Sequence, residues 1–255
     1  MAVFTPLLAA CGGSDDTTST AQDDGDSSAD AGSEASSTTQ GATGDETTDT
    51  NAADAEGTDS GELRWAQANL GFVSAYVLAR GNSATIVDTG TSGSADTIGE
   101  SLGTLGLTYD DVDHVILTHK HGDHAGSIDE VLSRASSATV YAGEADLTDI
   151  DVDDIVPLVG GEDVSGFEML ATPGHTAGHM AVIDHTVGLL VAGDAIFTEG
   201  DAVIEGPERF FEHIPQSQET IRTLASLSFN VLLPGHGPVL ETGADAAVAA
   251  LAASL

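Results

Sequence analysis

Seven side chains in this sequence are of the types that hold divalent metals, and their spacing lets loops gather them. Four fall in the run "THKHGDH": His119, His121, Asp123 and His124. The others stand singly, His175 in "TPGH", Asp194 in "VAGD" and His236 in "LPGHG". Five imidazoles and two carboxylates form the ligand set of a borderline cation such as zinc, and also suit iron or manganese. They are too many for one tetrahedral ion. They suit two ions that share a carboxylate and keep room for solvent. Such a pair brings the pKa of bound water to about 7 and polarises a carbonyl or phosphoryl oxygen. The chain has nine histidines in all, so this set takes more than half of them.

Side chains so far apart in sequence need a scaffold that brings them to one edge. Each follows an apolar run, "VDHVIL", "FEMLA", "GLLVA" or "NVLL". Runs of that kind read as buried strands, and strand ends at one sheet edge let distant segments converge. Gly122, Gly174, Gly193, Gly235 and Gly237 beside them permit tight turns and close backbone approach. Upstream, residues 63–79 predict two strands broken at Gly71, and "SATIVDTG" a buried strand ending at Asp88. Helices are expected over 95–105, 127–135, 216–227 and 241–255, a strand at "ATVYA", and a hairpin over "HMAVIDHTVGLLVAGD". Residues 195–215 read as a lid loop. Strand alternation is expected to give His119 and His121 one direction, with Lys120 pointing away between them. Asp123 and His124 then turn at Gly122 toward a neighbouring ion.

"THKHGDH" resembles the HxHxDH signature of the metallo-β-lactamase-fold hydrolases. "TPGHTAGH", "VAGD" and "LPGHG" resemble that family's remaining ligand motifs, in its usual order, and "IVDTG" at Ile86–Gly90 its early strand motif. The resemblance covers roughly Leu63 to Val239. It implies an α/β fold, an αββα four-layer sandwich with the site at one edge. It implies that His119, His121 and His175 hold a first metal, that Asp123, His124 and His236 hold a second, and that Asp194 bridges them. Asp88 would orient a ligand histidine from behind.

The implied cofactors are two divalent ions, zinc first, with iron or manganese as substitutes. The implied reaction is attack by a metal-bridging hydroxide on the carbonyl of a small ester, lactone or thioester, with Asp123 relaying a proton. Glyoxalase II and the lactonases share all seven ligands. The common zinc β-lactamases carry Cys where Asp194 stands, so β-lactam hydrolysis is not expected as the main activity. Only 19 residues follow His236, too few for the glutathione-binding extension of glyoxalase II. The lactonases' tyrosine has no equivalent among Tyr76, Tyr109 and Tyr141. The alternatives are an iron-dependent persulfide dioxygenase and a non-catalytic tethered metal-binding lipoprotein. His114 and His179 read as structural, His185 and His213 as turn or surface residues. Arg80, Arg209 and Arg222 read as surface ion-pair partners, Arg209 close to the active edge.

Composition bounds the rest. Of the 255 residues, 12–62 are almost wholly Ser, Thr, Asp, Gly and Ala. That stretch cannot bury enough apolar surface to offset its chain entropy and is expected to be a disordered acidic tether. Residues 63–255 have the composition of one globular domain, which the resemblance implies is the catalytic one. There are 42 Asp and Glu against 6 Lys and Arg, a net charge of −36, and Lys120 is the one lysine. Nucleic-acid binding needs clustered cations and is excluded as an expectation. An anionic lipid surface would repel the chain. The balance resembles that of proteins from saline cytoplasm or brine, haloarchaeal ones especially. Cys11 in "LLAACGG" resembles a lipobox, so residues 1–11 read as a lipoprotein signal remnant. The domain would then sit lipid-anchored at the extracellular face of the membrane, with a cytoplasmic location as the alternative. No run of 18 apolar residues predicts a membrane-spanning helix. The expected partner is a small-molecule substrate, with the membrane met only through the anchor.

Overall fold

The computed structural model describes residues 61–255. The signal remnant with Cys11, and all but the last two residues of the expected tether, lie outside the described residues.

Two sheets form the centre. The first runs β1 (Arg64–Asn69), β2 (Ser74–Arg80), β3 (Ser83–Val87), β4 (Val112–Leu117), β5 (Thr139–Gly143) and β6 (Val156–Leu158), each beside the next. β1, β2 and β3 pair antiparallel, and β3 to β6 pair parallel. The second sheet contains β7 (Asp163–Val164), β8 (Phe167–Ala171), β9 (Met180–Asp184), β10 (Leu189–Gly193) and β13 (Val231–Pro234), in the order β13-β10-β9-β8-β7. β11 (Phe197–Glu199) and β12 (Ala202–Ile204) form a separate antiparallel ribbon. The helices are α1 (Ala95–Thr104), α2 (Gly122–Ala125), α3 (Ile128–Arg134), α4 (Ile214–Leu224) and α5 (Ala244–Ala252).

Strand periodicity assembles the layers. In β2, Tyr76 and Leu78 point between the sheets, where Ile116, Met169, Met180, Val182 and Val191 meet them. Ala75, Val77 and Ala79 point the other way, to a core shared with Ile98 and Leu102 of α1 and Val131 of α3. On the second sheet Ile183, Leu190 and Leu232 face outward against Ile221 and Leu224 of α4 and Val248 of α5. The result is αββα, four layers with three apolar cores. Central strands buried on both faces are apolar along the buried stretch, which is why Val115–Leu117 of β4, Met180–Ile183 of β9 and the whole of β10 read as apolar runs. Ile116 is fully buried, and its truncation to Ala costs about 2–5 kcal/mol.

Two expectations change. β4 stops at Leu117 instead of running on to His119. The Thr118 amide leaves the ladder to donate to Asp88 Oδ1 at 2.7 Å, so the histidines leave from a loop and strand alternation does not aim them. The stretch expected to be a lid loop holds the β11–β12 ribbon and a 3-10 turn at Glu208–Phe210. Three-residue strands are too short to show a period. β6 and β7 escaped the sequence for the same reason.

Candidate metal centre

The seven side chains come together at one edge, where β3, β4, β8, β10 and β13 all end in loops. His119 Nε2, His121 Nδ1 and His175 Nε2 form a triangle with sides of 3.0, 2.9 and 3.1 Å. A second group joins Asp123, His124 and His236, with His236 Nε2 at 3.4 Å from Asp123 Oδ2 and 3.4 Å from His124 Nε2. Asp194 stands between the groups. Its Oδ2 is 3.3 Å from both His175 Nε2 and His236 Nε2, and its Oδ1 is 3.2 Å from His124 Nε2. Three sets of ligand atoms each lie within 4.8 Å of one another: His119, His121 and His175; His119, His124 and Asp194; and Asp123, His124 and His236.

What lies behind the rings decides which way their protons point. Thr118 Oγ1 donates its hydrogen to Asp88 Oδ2 at 2.8 Å, so it must accept from His119 Nδ1 at 3.0 Å. His124 Nδ1 donates to Asp88 Oδ2 at 2.8 Å, and His236 Nδ1 donates to the Phe72 carbonyl at 2.6 Å. In each neutral ring the proton is spent outward and an Nε2 lone pair faces the cluster. Three nitrogens that face one another at 3 Å cannot all be satisfied by shared protons. Asp194 Oδ1 is buried and makes no hydrogen bond, despite its approach to His124. Bare lone pairs around a buried carboxylate fit a cation and little else.

Charge follows the same division. Burial, reinforced by neighbouring imidazoles, pushes His119 well below its ordinary value. Burial pushes His175 down to about 4. Burial also opposes charge on His124 and His236, but carboxylates outweigh it. Asp88 and Asp194 hold His124 well above the usual histidine range. Bonds to Asp123 and Asp194 hold His236 up at about 10. Asp194 itself stays well below the carboxylate range, because His124 and His236 overcome its burial.

The backbone is shaped around the cluster. Asp88 is a non-glycine residue at φ 63°, a costly conformation that aims its carboxylate at Thr118 and His124. A Cβ on Gly235 would lie 2.3 Å from Asp194 Oδ1 and 2.7 Å from His124 Cε1, so only glycine fits. Gly122, by contrast, meets no such demand and opens the short helix α2, which carries Asp123 and His124.

Asp146 is the contributor the sequence reading missed. It is fully buried, and it accepts from the Lys120 amide at 3.2 Å, Thr176 Oγ1 at 2.6 Å and the Gly178 amide at 2.9 Å. It therefore pins the loop of His119 and His121 to the loop of His175. Lys120 Nζ bridges Asp149 and Glu212, both at 2.9 Å, and these bonds raise its pKa. His179 is no ligand. Its Nδ1 bonds Thr172 Oγ1 at 2.7 Å, and its Nε2 accepts the Asp194 amide at 3.0 Å. His114 packs edge-on to Tyr141 at the far end of β4, His185 pairs with Glu168 at the surface, and His213 caps α4 by accepting the Gln216 amide. Arg222 pairs with Glu219, but Arg80 is not a surface pair, since its partner Asp184 is fully buried. Arg209 pairs with no carboxylate among the described residues and lies 4.3 Å over the Phe210 ring. None of the three tyrosines reaches the cluster. Tyr76 donates to the Pro234 carbonyl within the core.

A model of the metallo-β-lactamase superfamily matches residues 68–150 and 136–236. The chain is 34% identical over 168 residues to metallo-beta-lactamase domain-containing protein 1 of Xenopus laevis, over 63% of this chain and 69% of that one. It is 28% identical over 204 residues to the uncharacterized protein YobT of Bacillus subtilis, over 68% and 86% of the two chains. Among solved structures it resembles the metallo-beta-lactamase family protein TTHA1429 of Thermus thermophilus, with a TM-score of 0.59 at 23% identity over 75% of this chain and 78% of that one. It also resembles TTHA1623 in a di-iron-bound form, with a TM-score of 0.55 at 24% identity over 68% and 92% of the two chains.

Proposed function

The chain belongs to the metallo-β-lactamase superfamily, whose members are generally dinuclear metal-dependent hydrolases, and from that premise we propose that it hydrolyses a small ester, lactone or thioester. His119, His121 and His175 would hold one divalent ion, Asp123, His124 and His236 the other, and Asp194 both. The observation that carries this reading is the position of Asp194, within 3.3 Å of a histidine nitrogen of each group. When bound, two such ions supply a nucleophilic water of lowered pKa and a Lewis acid for the carbonyl oxygen.

The protein's own contribution is orientation and proton handling. Asp88, Thr118 and the Phe72 carbonyl lock three rings with their Nε2 atoms inward. Asp123 is the one carboxylate of the set with a substantially exposed side chain, at 29%. Its bond to His236 keeps it below the usual carboxylate range, so it is ionised at neutral pH. It can accept the proton of an attacking water at Oδ2 and return it to the departing oxygen or sulfur. Zinc, with iron or manganese as substitutes, suits this nitrogen-rich donor set.

Metal analysis of the purified protein, paired with an ester, lactone and thioester panel, tests the proposal. Two ions per chain and turnover are expected. Asp194→Asn should lose at least one ion, and more activity than the roughly 10–100-fold that a residue behind a ligand costs. Failure to take up zinc, iron or manganese on reconstitution, or an Asp194→Asn variant that matches wild type, would overturn it.

A further inference from the structure

Phenylalanine is scarce here, seven in 255 residues. Phe167 and Phe229 are buried in the cores. Three others, Phe72, Phe197 and Phe211, are spent at the metal centre. The Phe197 ring stacks on the His236 imidazole at 5.2 Å and 7° from parallel. Phe72 lies against the same imidazole at 6.0 Å and 14°. Phe211 meets His175 edge-on at 5.0 Å and lies 6.2 Å from Phe197, and Phe210 precedes it in the chain. Phe72 is 64% exposed and Phe210 48% exposed. Exposed aromatic rings beside a polar cluster, on an otherwise acidic surface, mark a surface that binds something apolar. Phe72 is held in place as well, because its carbonyl takes the His236 Nδ1 proton at 2.6 Å.

The charges point the same way. Lys120 is clamped between Asp149 and Glu212, so it offers no free ammonium to a ligand. The one cation nearby without a carboxylate partner among the described residues is Arg209, which lies on the face of Phe210. A carboxylate at the far end of a substrate's acyl chain would have to be desolvated beside those apolar rings, with Arg209 as the one side-chain cation near them that lacks a carboxylate partner among the described residues.

We propose that the site takes neutral substrates whose acyl or aryl group is apolar and packs on Phe72 and Phe211, and that it rejects acyl groups that end in a carboxylate. This rests on the hydrolase reading above for the word substrate, while the binding preference stands on the rings and charges alone.

The test is therefore a binding measurement with amides, neutral carbonyl compounds that resist hydrolysis. Ligand-observed NMR on the full chain, at high salt to screen the net charge, compares N-methyl amides of acetic, butyric and hexanoic acid with the monoamide of adipic acid. Affinity should rise with chain length by up to roughly fourfold per methylene. The carboxylate-ended amide should bind at least about tenfold more weakly than the hexanoyl one. Phe72→Ala should flatten the chain-length dependence, and Arg209→Gln should leave the order unchanged. Affinity independent of chain length, or a preference for the carboxylate that Arg209→Gln abolishes, would overturn the inference. Turnover of the matching esters is read separately. Esters hydrolysed with no preference for chain length or charge would sink this inference and leave the hydrolase reading standing. Selective amide binding without any turnover would do the reverse.

Discussion

The two halves of the metal centre share Asp194 and differ in almost everything else. The His119–His121–His175 triangle is tight, with sides of 2.9–3.1 Å, and two of its members are nearly inaccessible. The Asp123–His124–His236 group is looser, at 3.4–3.9 Å, and the Asp123 and His236 side chains reach solvent. Free of metal, the second group neutralises itself: an imidazolium at His236 sits against Asp123 and Asp194. The first has no such recourse, because burial keeps His119 and His175 neutral. One half is preorganised for a cation, and the other stores protons that a cation must displace. The first ion should therefore bind more tightly than the second.

Metal retention is the largest effect by which this contrast can be broken. His121→Ala opens the triangle at its most exposed corner, and after gel filtration it should leave less than one ion per chain. Asp123→Ala should keep about one. Both should lose more than about a hundredfold in ester hydrolysis, since each disables one of two cooperating ions. Elemental analysis of the two variants decides. An Asp123→Ala protein that loses both ions while His121→Ala keeps one would reverse the order argued here.

Asp146 sharpens the same contrast with a smaller expected effect. Its carboxylate receives three donors from the two loops of the first group alone. Asp146→Asn replaces one accepting oxygen with a donating NH2 that faces other donors. The first ion should bind about 10–100-fold more weakly, with the second group unaffected and the circular dichroism spectrum unchanged. Equal weakening of both ions in a competition with a metal chelator would make Asp146 a residue of the fold rather than of one half-site.

Sequence alone revealed some of this and concealed the rest for physical reasons. Histidine is rare in the chain, so five histidines at strand ends stand out, and the structure does gather them with Asp123 and Asp194. Individual strands were legible because strands buried on both faces are apolar along the buried stretch, whereas the αββα layering was legible only through the resemblance of the ligand motifs to those of the family. Asp146 was not legible, being one acid among 42 with nothing local to mark it. Nor was the partner of His236, which is a backbone carbonyl and so leaves no trace in residue type. The aim of His119 and His121 was expected for the wrong reason. It comes from Asp88, 30 positions upstream, which draws Thr118 out of the strand.

The smallest predicted effect concerns His179, which belongs to neither half but carries Asp194. Thr172 Oγ1 donates to the His179 carbonyl at 3.3 Å and so accepts from His179 Nδ1, which leaves Nε2 to accept the Asp194 amide. Burial, then the neighbouring His175, pushes the His179 pKa down to about 3. His179→Gln retains an acceptor for the Asp194 amide in poorer geometry, and should cost about 1–2 kcal/mol at pH 7. The pH dependence separates this role from simple packing. An unfolded histidine titrates near 6.5, so below that pH the unfolded chain holds a proton that folded His179 excludes. Wild-type stability from this residue is thus present above pH 6.5 and is lost as pH falls toward 3, by about 1.4 kcal/mol per unit. Glutamine carries no such proton. In guanidinium unfolding of the chelator-treated proteins, the wild-type advantage should shrink below pH 6.5 and close near pH 5. An advantage that stays constant from pH 7 to pH 5 would mean that His179 is not held as a buried neutral acceptor behind Asp194, and that the backbone of the shared ligand is fixed by some other contact.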